Sequence, residues 1–369
     1  MKQDFTDALV ITGGGTGGHF YPAVALAEAA RSRWPNRPII FVGAKRGIEA
    51  RKLPESDWPH LLLDVEGFHG RSPLNALRSV WRMYAALKYL KRIWKAERPW
   101  AVIGTGGYGA GPALLAARAL DIPYYIHESN AAPGLVAKLA ASKAKRVWLG
   151  MDAAKARLPK ANCRCVGTPV RESFLRPFKP CSELQRPFTL LVLGGSGGAR
   201  AINNALLSIG GPLLEKHRDW EIFHQVGNLE MERLNNEPRH SRHTIVPFIE
   251  NMDTVIENAS LVLSRAGASA CSELKIAGRP AVLIPLPNSA SDHQKHNAIA
   301  FAKEGRGVMT EQGQGFEDRL FNILSSLMED DRVRQAFSRP EANNTVAECL
   351  DDMDLLSNSS IIRKLNTSH

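Results

Sequence analysis

At 369 residues with 44% apolar content, the chain is globular and too long for one ordinary core, so two domains are expected. No 18-residue apolar run occurs and MKQDFTDALV lacks an apolar signal core, while the five cysteines (Cys163, Cys165, Cys181, Cys271, Cys349) have neither zinc nor disulfide-framework spacing; a reduced cytosolic protein without spanning helix, leader or structural zinc is expected. The net charge of +10 is lopsided: residues 1–169 hold 25 Lys/Arg against 12 Asp/Glu and residues 170–369 hold 22 against 25, which points to an anionic partner for the first half, a nucleic acid or an anionic membrane surface.

In chain order, ALVIT reads as a strand, followed by the glycine loop GGGTGGHFYPA and a helix over PAVALAEAARSR. PIIFVG, the helical LNALRSVWRMYAALKYLKRIWKAE, WAVIGTGG, GPALLAARAL, PYYIHE and GLVAKLAASKAKRVWLG continue the alternation, which predicts a parallel α/β sheet with glycine turns at strand ends. VRESFLRPFKPCSELQRPF, with Pro177, Pro180 and Pro187 and no clear period, reads as a linker. The pattern then restarts with FTLLVLGGSGGARAINNALLSI, so that strand, glycine loop and helix recur about 180 residues on. The expected division is 1–169, a linker at 170–186, a second doubly wound domain at 187–340, and a polar tail at 341–369 with at most one more helix that either frays or returns to the first domain. DDMD at 351–354 reads there as a solvated charge run rather than a metal site.

Free N–H groups at a helix start, with the positive end of the helix dipole, attract anions, and glycine lets a phosphate approach the backbone. Gly13, Gly15 and Gly18 match G-x-G-x-x-G, as do Gly104, Gly106 and Gly109. A dinucleotide site also needs an acid after the second strand, where Ala44-Lys45-Arg46 stands instead; this argues against NAD and leaves an NADP-dependent oxidoreductase as a disfavoured alternative. His19, at the mouth of the first loop, is either a structural histidine or a base that the helix dipole keeps neutral.

Over 74–100, Leu77, Val80, Trp81, Tyr84, Leu87 and Trp94 lie near one helical face, among Arg78, Arg82, Lys88, Lys91, Arg92, Lys95 and Arg98 with Glu97 the only acid. A crossover helix with a solvated basic face and a basic-aromatic surface for an anionic bilayer both fit; no nucleic-acid motif accompanies the charge, and no nucleic-acid partner is expected. In the second half, Glu273 is placed in a helix starting near Ala268, where a carboxylate can accept two ribose hydroxyls, and Asp292, His293, Gln294 and Asn297 follow a strand-end proline turn suited to sugar binding. A dipole-favoured helix acid and a polar loop are the plain alternative.

Ten ordered segments, GGTGGHFYPA, GTGGYGAGPALLAA, HESNAAPGL, GTPVRESF, LGGSGGARAINNAL, HQVG, PFIENM, RAGASACSEL, GRPAVLIPLP and DHQKHNA, resemble the MurG family from about residue 8 to about residue 340. These are the UDP-N-acetylglucosamine:lipid I N-acetylglucosaminyltransferases. The resemblance implies a GT-B fold of two Rossmann-like domains with the active site in the cleft between them. It implies inverting transfer of N-acetylglucosamine to the C4 hydroxyl of undecaprenyl-pyrophosphoryl-N-acetylmuramoyl-pentapeptide, at the cytoplasmic face of a bacterial membrane and peripheral to it. It places the acceptor's pyrophosphate on Thr16, Gly17 and Gly18, with Gly106, Gly107 and Tyr108 in the same loop cluster, and makes His19 the base. For UDP-N-acetylglucosamine it implies Ser196, Gly197 and Gly198 at the diphosphate, Ile249 with Phe248 at uracil, Ala268, Ser269 and Glu273 around the ribose, Asn130, Gln294 and Asn297 at the sugar, and Arg171 reaching the donor. A helix dipole can replace a metal, so no cofactor is required, and a divalent cation accompanying the diphosphates stays open. Thr168, Gly197, Ser129 and the pair Gly109-Ala110 depart from the family pattern, so a side-chain contact at 197 is in doubt. A UDP-sugar transferase acting on another lipid, such as diacylglycerol, and a non-enzymatic sugar-nucleotide-binding protein are the other readings.

Overall fold

The computed structural model describes residues 3–67, 73–195, 198–289 and 292–366. It divides into two units, one of residues 1–172 with 343–369, the other of residues 173–342. In the first, β1 (Leu9–Thr12), β2 (Ile39–Ala44), β3 (His60–Leu63), β4 (Ala101–Gly104), β5 (Tyr124–Glu128), β6 (Arg146–Leu149) and β7 (Cys163–Cys165) form an all-parallel sheet in the order 3-2-1-4-5-6-7. In the second, β8 (Phe188–Leu193), β9 (Trp220–Gln225), β10 (His243–Val246), β11 (Leu261–Ser264), β12 (Ala281–Leu283) and β13 (Gly307–Met309) repeat the arrangement in the order 10-9-8-11-12-13. Parallel strands covered by helices on both faces need apolar side chains on both, and β1 and β11 are accordingly buried at every residue.

Strand order reverses between β1 and β4 and again between β8 and β11, the switch points where open α/β sheets bind ligands. Thr12 pairs with Gly104, so both glycine loops of the first half leave the sheet side by side. Helix Gly17–Arg33 begins five residues before the expected PAVALAEAARSR and carries Pro22 inside it. His19 therefore lies in the first helical turn.

The helix Pro73–Ala96 divides its aromatics. Leu77, Val80, Trp81 and Tyr84 are exposed, whereas Trp94, expected on the same face, is fully buried edge-to-face against Phe5. Exposed and buried stripes run side by side on one helix, and Ala86, Leu90 and Trp94 follow the buried one. Arg82 is not part of the free basic face: its guanidinium pairs with Asp64 and with the buried Glu66.

The polar tail is a helix, Thr345–Asn366, that packs in the first unit. DDMD is thus no solvated run. Asp352 is buried, accepts from Arg146 Nε (2.7 Å), Arg146 Nη2 (3.0 Å) and Trp148 Nε1 (3.0 Å), and Trp148 stacks on Tyr125. Asp351 and Asp354 meet Arg33 at the surface. Residues 173–186 of the segment read as a linker belong to the second unit, where Arg176 grips Glu257 through both carboxylate oxygens (2.8 and 2.9 Å) and buried Arg279 caps the carbonyls of Ile256, Glu257 and Lys179.

Candidate functional site

The first glycine loop enters helix Gly17–Arg33 through Thr16, whose backbone is extended (φ −134°) and whose side chain does not cap the helix. Thr16 is exposed, and the uncapped first-turn amides behind it suit an anion. Gly17 and Gly18 are half-buried beside it.

His19 is held by a residue 86 positions away: its Nδ1 lies 3.0 Å from the Thr105 carbonyl, while Thr105 Oγ1 donates back to the His19 carbonyl at 2.7 Å. A carbonyl can only accept, so Nδ1 carries a proton, and in the neutral form of the ring the lone pair lies on Nε2. The second glycine loop gives that ring its space. A Cβ at Gly106 would stand 2.8 Å from His19 Nδ1, and one at Gly107 would strike the Gly14 carbonyl and lie 3.2 Å from His19 Cδ2. Tyr108 packs its ring against Gly15 and donates its hydroxyl to the Arg46 carbonyl at 3.2 Å. The structure thus brings together the residues placed at the acceptor loop by sequence, with the two glycine loops packed around one imidazole.

On the neighbouring strand, buried Glu128 ends β5 and accepts from Asn130 N (3.0 Å), Asn130 Nδ2 (3.0 Å) and Gly134 N (3.0 Å). Asn130 is therefore oriented by a carboxylate that the sequence reading passed over, although its position at a strand's carboxyl end inside HESN was the available signal. His127, one residue earlier, is fully buried and hydrogen-bonded to the Gly167 carbonyl (2.9 Å); burial pushes its pKa down to about 4, so it stays neutral. Arg171 lies in the first unit, half-buried.

In the second unit, Ser196 and Gly197 fall outside the described residues. Gly198 has φ +76°, donates to the Gly195 carbonyl (3.0 Å) and precedes helix Arg200–Lys216 by two residues. After β10, Phe248 is 52% exposed while Ile249 is buried, an exposed ring beside a sheltered backbone. After β11 the chain turns at Gly267 into helix Ala268–Ala277, which carries Ser269 and Glu273 in its first two turns. Ala268 is buried, Glu273 is half-buried, and Ser269 Oγ is buried with no protein hydrogen-bond partner. Gln294 Oε1 accepts from Leu286 N (2.9 Å) and fixes the proline turn, and fully buried Asn297 donates from Nδ2 to the Ala266 carbonyl (3.1 Å), tying helix His293–Lys303 to the turn before Ala268. Arg265 at the same turn donates to the Ile284 and Pro285 carbonyls (3.2 and 3.3 Å). Among the described residues no group of three or more His, Cys, Asp or Glu is placed to hold a metal ion.

Chemically, the first unit offers an imidazole oriented through Nδ1 beside an uncapped helix start, and the second offers a carboxylate and an amide-lined turn at its own switch point. Residues 9–149 match the glycosyltransferase family 28 N-terminal domain and residues 189–353 its C-terminal domain. Among curated relatives, a UDP-N-acetylglucosamine--N-acetylmuramyl-(pentapeptide) pyrophosphoryl-undecaprenol N-acetylglucosamine transferase of Syntrophotalea carbinolica is 38% identical over 87% of this chain and 90% of its own. The protein of the same name from Desulforamulus reducens is 33% identical over 93% and 97%. The crystal structure of Acinetobacter baumannii MurG superposes with a TM-score of 0.73 at 27% identity, covering 94% of this chain and 98% of that one. The calicheamicin glycosyltransferase CalG4, at 15% identity and a TM-score of 0.67 over 98% of this chain and all of its own, shares the fold. Two parallel-sheet Rossmann-like units of the GT-B class, both family 28 domains and relatives this similar along most of their length place the chain in glycosyltransferase family 28, within the MurG family.

Proposed function

We propose that this protein transfers N-acetylglucosamine from UDP-N-acetylglucosamine to the C4 hydroxyl of N-acetylmuramic acid in undecaprenyl-pyrophosphoryl-N-acetylmuramoyl-pentapeptide, forming the disaccharide lipid of peptidoglycan synthesis. The observation that carries this reading is the His19–Thr105 pairing, which assigns the ring proton to Nδ1 and so makes Nε2 the basic nitrogen, beside a helix start suited to an anion. The acceptor's pyrophosphate sits at Thr16, Gly17 and Gly18, with Gly106, Gly107 and Tyr108 lining the same loop cluster. His19 Nε2 takes the hydroxyl proton as the oxygen bonds to the anomeric carbon from the face opposite the departing UDP. The bond from that carbon to the phosphate oxygen breaks, and its electron pair leaves with the diphosphate. The helix start after Ser196, Gly197 and Gly198 receives that charge through backbone N–H groups and the helix dipole, as an oxyanion site does. Glu273 accepts the ribose hydroxyls, Ser269 contributes its unpartnered hydroxyl, Ile249 and Phe248 take the uracil, and Asn130, Gln294, Asn297 and Arg171 complete the donor site.

A direct test incubates the protein with radiolabelled UDP-N-acetylglucosamine and, in parallel, a short-chain prenyl-pyrophosphoryl-N-acetylmuramoyl-pentapeptide or diacylglycerol. Label is expected in the first product alone; label in diacylglycerol alone would replace this acceptor with the other lipid.

Work on a lipid-linked acceptor calls for contact with the bilayer. Among the described residues no helix is long and apolar enough to cross a membrane. Exposed Leu77, Val80, Trp81 and Tyr84 recur at helical spacing beside exposed Arg78, Lys88 and Arg92, and this surface fits peripheral docking on the anionic cytoplasmic leaflet. Each basic side chain near such a surface contributes about 1 kcal/mol, so reversing Arg78, Lys88 and Arg92 to Glu should weaken binding to phosphatidylglycerol vesicles by well over tenfold. Arg82 is left alone because its guanidinium neutralises buried Glu66. Undiminished vesicle sedimentation of this triple variant would remove the helix from the docking surface.

A further inference from the structure

Beneath the first glycine loop lies a carboxylate that the mechanism above does not use. Glu49 is completely buried in the short helix Glu49–Lys52, and among the described residues it forms no ion pair with Lys or Arg. Its partners are backbone amides: Oε2 accepts from Gly15 N at 2.7 Å and Oε1 from Ala44 N at 3.3 Å. Burial pushes its pKa up, and the amides of Gly15, Glu49 and Ala44 oppose that shift. The space around it is built from residues without side chains. A Cβ at Gly14 would overlap the carboxylate, one at Gly43 would stand 2.9 Å from its Cγ, and one at Gly47 would stand 2.8 Å from Oε2. One side chain thus joins the end of β2 to the turn leaving β1, at a residue whose φ of +87° sets the direction of the chain into Thr16 and helix Gly17–Arg33.

We propose that Glu49 is a positioning residue for substrate binding: by holding the Gly15 amide it aims the first turn of helix Gly17–Arg33, with Thr16 and His19, at the pyrophosphate of the acceptor. The proposal rests on the assignment of residues 13–19 to the acceptor. Removing the carboxylate takes the acceptor from the buried Ala44 N–H and the half-buried Gly15 N–H and frees the turn, whereas a glutamine keeps one accepting oxygen and sets an NH2 against the other amide.

The test is steady-state kinetics of full-length E49A and E49Q, both checked by circular dichroism, with UDP-N-acetylglucosamine and the short-chain prenyl-pyrophosphoryl-N-acetylmuramoyl-pentapeptide varied separately. In E49A the acceptor KM is expected to rise about tenfold, the scale of a lost charge-assisted hydrogen bond, with the donor KM within about twofold of wild type. E49Q should fall between the two. If E49A does not fold, E49Q must still raise the acceptor KM selectively. Unchanged KM values for both substrates in folded E49A would overturn the positioning role. A raised donor KM with an unmoved acceptor KM would instead overturn the acceptor assignment of the loop.

Discussion

His19→Ala is expected to cut turnover by about 10² or more, the usual worth of a positioned general base, while UDP-N-acetylglucosamine affinity stays within about twofold of wild type. The split follows from where the imidazole is held. Its Nδ1–H is committed to the Thr105 carbonyl at 3.0 Å and its ring is enclosed by Gly106 and Gly107, so Nε2 is the one ring atom able to receive a proton. The residues that hold it, Thr105, Gly106 and Gly107, belong to the first unit, whereas most of those assigned to the nucleotide belong to the second. His19→Asn separates base from filler, since an asparagine amide can keep the hydrogen bond to Thr105 and fill much of the volume but accepts no proton at neutral pH. Both variants should be slow to a similar degree. Near-normal turnover in His19→Asn would sink the base assignment and leave His19 a packing residue; isothermal titration with UDP-N-acetylglucosamine checks the donor arm.

Asp352→Ala should destabilise the first unit by about 3 kcal/mol or more, because truncating one member of a buried ion pair strands the other. Asp352 is 3% exposed and Arg146 20% exposed, their contact is bidentate at 2.7 and 3.0 Å, and the indole N–H of Trp148 loses its acceptor as well. The same side chain fastens helix Thr345–Asn366 to β6, so limited proteolysis should remove the C-terminal helix from the variant before the rest of the chain is cut. By contrast, Asp351→Ala, on an exposed contact with Arg33, should change little. Equal urea midpoints for Asp352→Ala and wild type would show that the helix is held by apolar packing of Cys349, Leu350 and Met353 alone.

Much of the architecture was legible locally. Strands such as LVIT and FTLLVL are continuous apolar runs because a parallel sheet is covered on both faces, and the glycine clusters that follow them mark strand ends without any knowledge of the partner strand. The positions of His19 and Glu273 near the starts of helices that follow β1 and β11 were likewise legible, since a strand-turn-helix unit is written within one short segment.

What the sequence left undecided concerns partners distant along the chain. Helical periodicity groups residues by face but does not say what covers the face, so Trp81 and Trp94 read alike although one is exposed and the other meets Phe5 in the core. The tautomer of His19 depends on a carbonyl 86 residues away, and the meaning of DDMD on Arg146, 206 residues before Asp352. Glu49, a lone acid in GAKRGIEARK, gains its significance only when folding closes a wall of glycines around it. By itself the sequence determined the two parallel sheets, the glycine loops at their strand ends and the chemical groups the loops carry, because those are properties of short segments. Tertiary structure decided which groups are buried, which proton sits on which nitrogen and which charges hold the fold, because burial and hydrogen-bond pairing exist only once distant segments meet.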